Sequence, residues 1–310
     1  MSDLLKNRRE ILFLYDVSFG NPNGDPNDLN KPRIDEETGK NIVTDVRLKR
    51  TVRDYLMNFE GFEIFVKEIV KEDGSIQDAK ARAKDFDDDP DKILDKCIDV
   101  RLFGATIPIK DKKGGEEKDK GKGDSITYTG PVQFAMGQSL HRVKLEYIKG
   151  IGAFASGEKK QQKTFREEYI IPYSLIAFHG IVNENAAKHT KLKPEDVDYL
   201  LKALWLGTKN LISRSKTEHM PRLLIEIVYK EGKNFHIGEL HRYIKLQTDK
   251  LDEEIRSFED YVLDLSKLYE AIEDEAQNIE KVLYMVDKNL NIKPDIPKGK
   301  VQWEKLSLER

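Results

Sequence analysis

Apolar residues fall in blocks along this chain, and their spacing changes from block to block. Residues 10–19, Glu-Ile-Leu-Phe-Leu-Tyr-Asp-Val-Ser-Phe, are a nearly unbroken β-prone run and predict a central strand. Beyond Thr44 or Asp45, either of which can cap a helix, Leu48, Val52, Tyr55 and Leu56 recur at i, i+4, i+7 and i+8. That spacing predicts a helix through Met57 with one apolar face. A second strand fits Gly130–Gly137, and Tyr169–Val182 reads as a long strand, bent or at an edge near Pro172. Pro194 suits the first turn of another helix, in which Val197, Leu200, Leu201, Leu204 and Leu211 repeat at helical spacing to about Ile212. Arg222–Tyr229 is the last strong strand. The order strand, helix, strand, strand, helix, strand predicts an α+β fold of the ferredoxin-like or RRM-like kind, a superfold that fixes no function.

Segments between these blocks read differently. Asn21-Pro22-Asn23-Gly24-Asp25-Pro26-Asn27 predicts a structured turn. Residues 60–125 contain an aspartate run (Asp85, Asp87, Asp88, Asp89, Asp91), a short helix near 92–103 and a Lys/Gly/Glu/Asp stretch from Lys110 to Gly123. This composition predicts an insertion ending in a loop. Residues 143–168 alternate weakly around a Gly/Ser/Lys/Gln centre, Ser156–Lys163, and predict a projecting hairpin. Residues 249–283 predict an acidic amphipathic helix or helix pair, with Asn289–Pro297 extended beyond it.

Composition narrows the function classes. Of 310 residues, 38% are hydrophobic and 35% charged, and no apolar run reaches the ~18 to 20 residues that a spanning helix needs. The charged N-terminus, with only Ile11–Tyr15 apolar before Asp16, is too short for a signal-peptide core, which points to the cytoplasm. A single cysteine, Cys97, excludes an intramolecular disulfide and a cysteine-based zinc site, and reads as a buried small residue. The chain totals −3, but residues 249–280 hold twelve acidic and three basic groups, a local −9 that leaves the remainder at +6. The asymmetry keeps a nucleic-acid partner in play.

Three basic segments are candidates for such a partner. Arg47, Lys49, Arg50 and Arg53 have no acidic residue among them, and Lys49, Arg50 and Arg53 spread over roughly 100° of a helix. A phosphate chain could lie along that flank near the helix N-terminus, or the residues could form a solvated face. Residues 141–167 carry Arg142, Lys144, Lys149, Lys159, Lys160, Lys163 and Arg166 against Glu146, Glu158 and Glu167, with an apolar patch at Ile151, Ala153 and Phe154. This hairpin could clamp a strand or be a solvated ribbon. Lys209–Thr217, with Lys209, Arg214, Ser215 and Lys216, suits phosphate contacts or simply stabilises a helix C-terminus. The Asn21–Asn27 turn imitates the start of a calcium loop, but its glycine is misplaced and no glutamate closes it. Asn21 and Asn23 instead suit a rigid turn presenting donors to a ligand. Six histidines show no HExxH or HxH spacing, and no phosphate-binding loop or GxSxG occurs. Asp16 in its apolar strand reads as a hydrogen-bonded structural carboxylate.

Several segments together resemble one family. Leu14-Tyr15-Asp16-Val17-Ser18-Phe19-Gly20-Asn21-Pro22-Asn23-Gly24-Asp25-Pro26 is similar to the opening of the CRISPR-associated backbone subunit of type I Cascade complexes, closest to the type I-B branch. Ile42-Val43-Thr44-Asp45-Val46-Arg47-Leu48-Lys49-Arg50, Val100–Ala105, Gly130-Pro131-Val132-Gln133-Phe134 and Pro172-Tyr173-Ser174-Leu175 with His179-Gly180 follow in the family's order. The resemblance implies an RRM-like palm (1–59, 126–142 and 169–248), a finger-like insertion (60–125), a thumb hairpin (143–168) and an acidic C-terminal extension (249–310). It also implies copies assembling head to tail along the spacer of a crRNA, with bases left free to pair with target DNA. The implied partners are further copies, a crRNA 5′-end cap subunit, large and small subunits and a crRNA-processing endonuclease. No cofactor, metal or catalytic residue is implied. Under this reading Gln138, Ser139 and the strand at Gly130 lie against the RNA. The first strand lacks a clear pair of RRM stacking aromatics, so RNA should cross the palm by another route. Two rivals stay open: a metal-dependent ribonuclease using Asp16, Asp25 or Asp45, and a structural module whose acidic tail binds a partner.

Overall fold

In a computed structural model describing residues 4–108, 125–155 and 163–308 (151–155 and 163–166 by backbone alone), the first apolar run is strand β1 (Arg9–Gly20). A turn with two short strands, β2 (Gly24–Asp25) and β3 (Lys31–Pro32), leads to β4 (Lys40–Val43) and helix α1 (Asp45–Asn58). Thr44 caps α1, its Oγ1 accepting from the Arg47 N–H at 3.3 Å, and Leu48, Val52, Tyr55 and Leu56 are buried as their spacing requires. The insertion supplies α2 (Ala79–Lys84), α3 (Pro90–Lys96), α4 (Ile98–Phe103) and a hairpin of β5 (Gly104–Pro108) and β6 (Ser125–Thr129). It has its own small core of Phe65, Phe86, Ile93, Leu94, Val100 and Ile107, in which Cys97 is buried. The Lys110–Gly123 stretch lies outside the described residues.

The strand expected at 130–137 is two strands, β7 (Val132–Phe134) and β8 (Gly137–Arg142), interrupted at Ala135–Met136. The expected hairpin is formed by β9 (Glu146–Ala155) and β10 (Lys163–Val182), its centre from 156 to 162 lying outside the described residues. Two helices follow, α5 (Glu184–Thr190) and α6 (Pro194–Lys202); α6 runs on into a π-helical turn, Ala203–Gly207, and the helix stops by Asn210, not Ile212. Gly207 allows that turn to approach α1, since a Cβ there would stand 3.0 Å from Cβ of Tyr55. β11 (His219–Tyr229) completes the pattern.

The acidic tail departs from expectation. In place of a helix pair it contains short 3₁₀ turns, β12 (Lys245–Gln247), β13 (Val262–Asp264), one nine-residue helix α7 (Ser266–Asp274), β14 (Ile279–Val286), β15 (Ile292–Lys293) and β16 (Trp303–Lys305). The main sheet runs β16-β14-β11-β1-β10-β8-β4, with β7 also on β10. Around β1, the strands β11, β10 and β7/β8 follow the order fourth, first, third, second, all antiparallel, which is the arrangement of a βαββαβ unit extended at one edge by β14 and β16. Pro172 is itself unpaired in β10. It stands where β10 changes partner, from β9 (through Ile170) to β1 (from Ile171), and opposite Phe19, which the pairing passes over.

Both faces of this sheet are covered, which is why β1 reads as an unbroken apolar run. Ile11, Phe13, Tyr15 and Val17 pack into a core with α1 and α6. Leu12 and Leu14 point the other way, into a core with Ile255, Tyr261, Leu263, Leu268 and Ile272 from the tail. A buried polar network fastens that tail. Asp16 accepts from Tyr173 Oη and Arg222 Nε, each at 2.8 Å, while Arg222 also donates to Asp287 at 2.8 Å and lies 4.3 Å from the Phe258 ring. The face that stacks bases in an RRM is therefore occupied by protein.

Candidate nucleic-acid interface

Where β1 ends, three segments converge. Gly20 passes so close to the 213–217 loop that a Cβ would sit 2.7 Å from the Ser215 carbonyl oxygen. Asn21 donates its N–H to that oxygen at 2.9 Å and its Nδ2 to Asn30 O at 2.7 Å, leaving Oδ1 buried and unpartnered. Asn23 Oδ1 accepts from both N–H and Oγ1 of Thr44 at 2.9 Å, locking the turn onto the cap of α1. Lys216 Nζ donates to Asn21 O at 2.7 Å. A cavity of about 300 Å³ opens alongside, lined by Asn21, Asn30, Glu167, Glu168, Tyr169, Arg214 and Ser215.

Electrostatics set this corner apart. Arg47, on the first turns of α1, is partly buried and within electrostatic reach of Tyr15, Asp54, Arg50, Lys216 and His219; among the described residues no carboxylate comes close enough to form an ion pair with Arg47 or Lys216. Burial, then the Arg47 charge, pull the Lys216 ammonium down to about 8. Burial, then Lys216 and Arg47, hold His219 at about 3, so it is neutral; its ring lies 5.7 Å from that of Tyr15 with both nitrogens unpartnered. Burial also lowers Arg47 and raises the Tyr15 hydroxyl. Two cations held together with no directly paired carboxylate, beside a helix N-terminus, form a corner chemically suited to an anion.

Most of the other described basic candidates are engaged within the chain. Lys49 pairs with Asp45 at 2.9 Å, Arg50 with Asp54 at 3.5 Å, and Arg53 with the fully buried Asp99 at 3.0 Å, against the Phe103 ring. Asp99 also accepts from the N–H groups of Phe65 and Val66, so Arg53 ties α1 to the insertion. Arg214 reaches Glu168 at 3.0 Å, Arg142 reaches Glu253 at 3.2 Å and Lys144 approaches Glu146 at 3.8 Å. Ser139 was expected against the RNA but is buried, accepting from the Asn41 N–H and donating to His141 O. Gln138 is exposed on β8, with Arg142 and Lys144 beyond it, on the side of the sheet that carries β4. Lys209 is exposed at the helix end. Lys159 lies outside the described residues, as do the side chains of Lys163, Ile151, Ala153 and Phe154.

The structure thus gathers Asn21, Asn23, Arg47, Ser215 and Lys216 at one place, buries Ser139, and leaves Lys49, Arg50, Arg53, Gln138, Arg142, Lys144, Lys209 and Arg214 away from that corner or engaged in ion pairs. Sequence reasoning missed Tyr15 and His219; the one available signal was His219 falling three residues after Lys216. The three aspartates considered for metal chemistry are scattered: Asp16 with Arg222, Asp25 with Arg33 at 2.7 Å and Asp45 with Lys49. Among the described residues no group of three His, Cys, Asp or Glu could hold a metal ion.

Comparison with known proteins identifies the family. The family model for CRISPR-associated protein Cas7 matches residues 7–266. A CRISPR-associated protein Cas7 of Haloferax volcanii is 36% identical over 307 residues, spanning 92% of this chain and 88% of its own length. A chain from a CRISPR RNA-guided surveillance complex in a pre-nicking state shares the fold, with a TM-score of 0.60 at 12% identity over 97% of each chain. With a family match over most of its length and a relative above a third identical, the chain belongs to the Cas7 family of CRISPR-associated proteins.

Proposed function

We propose that this Cas7-family chain is a crRNA-binding backbone subunit of a Cascade surveillance complex, and that Arg47 and Lys216 grip a phosphate of the guide. Several copies line the spacer, together with the cap, large, small and processing subunits, and display it for pairing with target DNA in antiviral defence. The observation that carries the reading is the pair of partly buried cations with no carboxylate partner among the described residues. Such a pair costs stability unless an anion joins it, and sugar-phosphate is the anion a guide offers at every step. Phosphate contacts position a strand without reading it, as a subunit serving any spacer requires. The sheet with α1 and α6 serves as an RRM-like palm, residues 60–125 as fingers and the β9–β10 hairpin as thumb. Because both sheet faces are covered, the guide follows the corner at the end of β1 and not the open face of an ordinary RRM. The subunit binds without cutting, its three candidate aspartates being neutralised by arginine or lysine. It works in the cytoplasm, and among the described residues no helix is long and apolar enough to cross a membrane.

Filter binding of a spacer-length RNA across a salt series tests this. Arg47→Ala with Lys216→Met should weaken binding at least tenfold and flatten the log K against log salt slope by about 0.7, the value for one lost single-strand phosphate contact. An unchanged slope and affinity would overturn the assignment.

A further inference from the structure

Phe19 is the most conspicuous aromatic that the fold does not use. It is 62% exposed, and its φ of +42° is a region that bulky L-residues rarely enter. The surrounding chain enforces that conformation. Ser18 donates its N–H to Glu218 O at 3.1 Å and Asn21 its N–H to Ser215 O at 2.9 Å, so Phe19 is bracketed by two bonds to the loop that carries Lys216. On its other side the β1–β10 register passes from Ser18–Tyr173 to Gly20–Ile171, leaving Phe19 opposite Pro172, which has no N–H to offer. A strained backbone that turns a large apolar ring into solvent, two residues from Asn21 and beside the unpaired cations, suits a ligand with a flat apolar face next to a negative charge. A nucleotide has that composition.

Resting on the guide-binding reading above, we infer that Phe19 is a stacking residue: its ring receives a base of the guide strand while Arg47 and Lys216 hold an adjacent phosphate. It would do the work that the covered sheet face cannot. A stacked base at one position per subunit fixes the strand's register without reading its sequence, because every base has a π-face.

The test uses the full-length chain and spacer-length RNAs carrying a single 2-aminopurine at successive positions, whose fluorescence reports stacking. Wild type should change the signal at a subset of positions. Phe19→Leu should abolish that change and weaken binding about five- to tenfold, and Phe19→Trp should restore both. Phe19→Gly separates the ring from the backbone it strains: thermal stability should rise, since glycine accepts positive φ, while RNA affinity falls. If Phe19→Leu leaves every 2-aminopurine signal and the affinity unchanged while Arg47→Ala abolishes binding, the stacking role is wrong and the phosphate cradle stands. If neither substitution alters binding, the cradle fails as well. Loss of RNA-free self-association in Phe19→Leu, with RNA signals intact, would make Phe19 a protein contact and refute the inference.

Discussion

Replacing Lys216 with methionine isolates the cost of the unpartnered charge. The ammonium is pulled from 10.5 to about 8, first by burial and then by Arg47. At about 1.36 kcal/mol per pKa unit this corresponds to about 3 kcal/mol against the charged folded state. The side chain keeps contact with solvent, and screening reduces the figure to about 1.5 kcal/mol. Methionine also forfeits the bond to Asn21 O, worth about 1 kcal/mol, so the net change at pH 7 is small. The pH dependence is the sharper readout. Below about pH 8 the lysine is charged in both states and the folded chain bears the whole penalty. As pH rises through 8 the folded state releases the proton while the unfolded state keeps it until about 10.5, so wild-type stability rises across that window. Urea melts of both proteins from pH 7 to 10.5 should show wild type gaining about 1.5 kcal/mol on Lys216→Met. A constant difference would mean that Lys216 is not held partly buried beside Arg47.

Further outcomes follow from the same contacts. Guide RNA affinity of wild type should fall as pH rises above about 8, because the free Lys216 is then neutral; a flat profile between pH 7 and 9 in filter binding would contradict the cradle. Arg222→Ala should cost about 3–5 kcal/mol in chemical denaturation, since it strands the buried Asp16 carboxylate, without altering RNA integrity in the presence of Mn²⁺. Arg53→Ala should lower the thermal midpoint by stranding Asp99 yet change the RNA affinity of the folded protein less than twofold, whereas Arg47→Ala should do the reverse. Gly20→Ala should cost about 1–3 kcal/mol and weaken RNA binding in parallel, because its methyl pushes away the Ser215 carbonyl that orders Asn21.

What the sequence revealed and what it hid divide along the range of the interactions. Periodicity is local, so β1, α1, α6 and β11 stood out, as did the hairpin at 143–168. The tail did not, because its acidic residues mask the apolar positions Ile279, Val282 and Met285 that seat β14 against β11. Net charge could not show that those acids ride on a segment whose inner side roofs the sheet. The same limit governed the cations. In sequence, Arg47, Lys49, Arg50 and Arg53 are equivalent; in space Arg53 meets an aspartate 46 residues on, Lys49 and Arg50 pair with acids on their own helix, and Arg47 has no ion-paired acid, feeling Asp54 only at a distance and standing near Lys216. On the proposed reading, function rests on which basic residue the fold leaves without a directly paired acid. That selection is tied to the roofing of the sheet. Once the tail covers the face with Leu12 and Leu14 and the helices cover the face with Phe13 and Tyr15, the proposed guide path is left with the strand ends. The end of β1 is where Gly20 permits close packing, where Asn23 anchors the helix cap, and where Arg47 and Lys216 are held uncompensated.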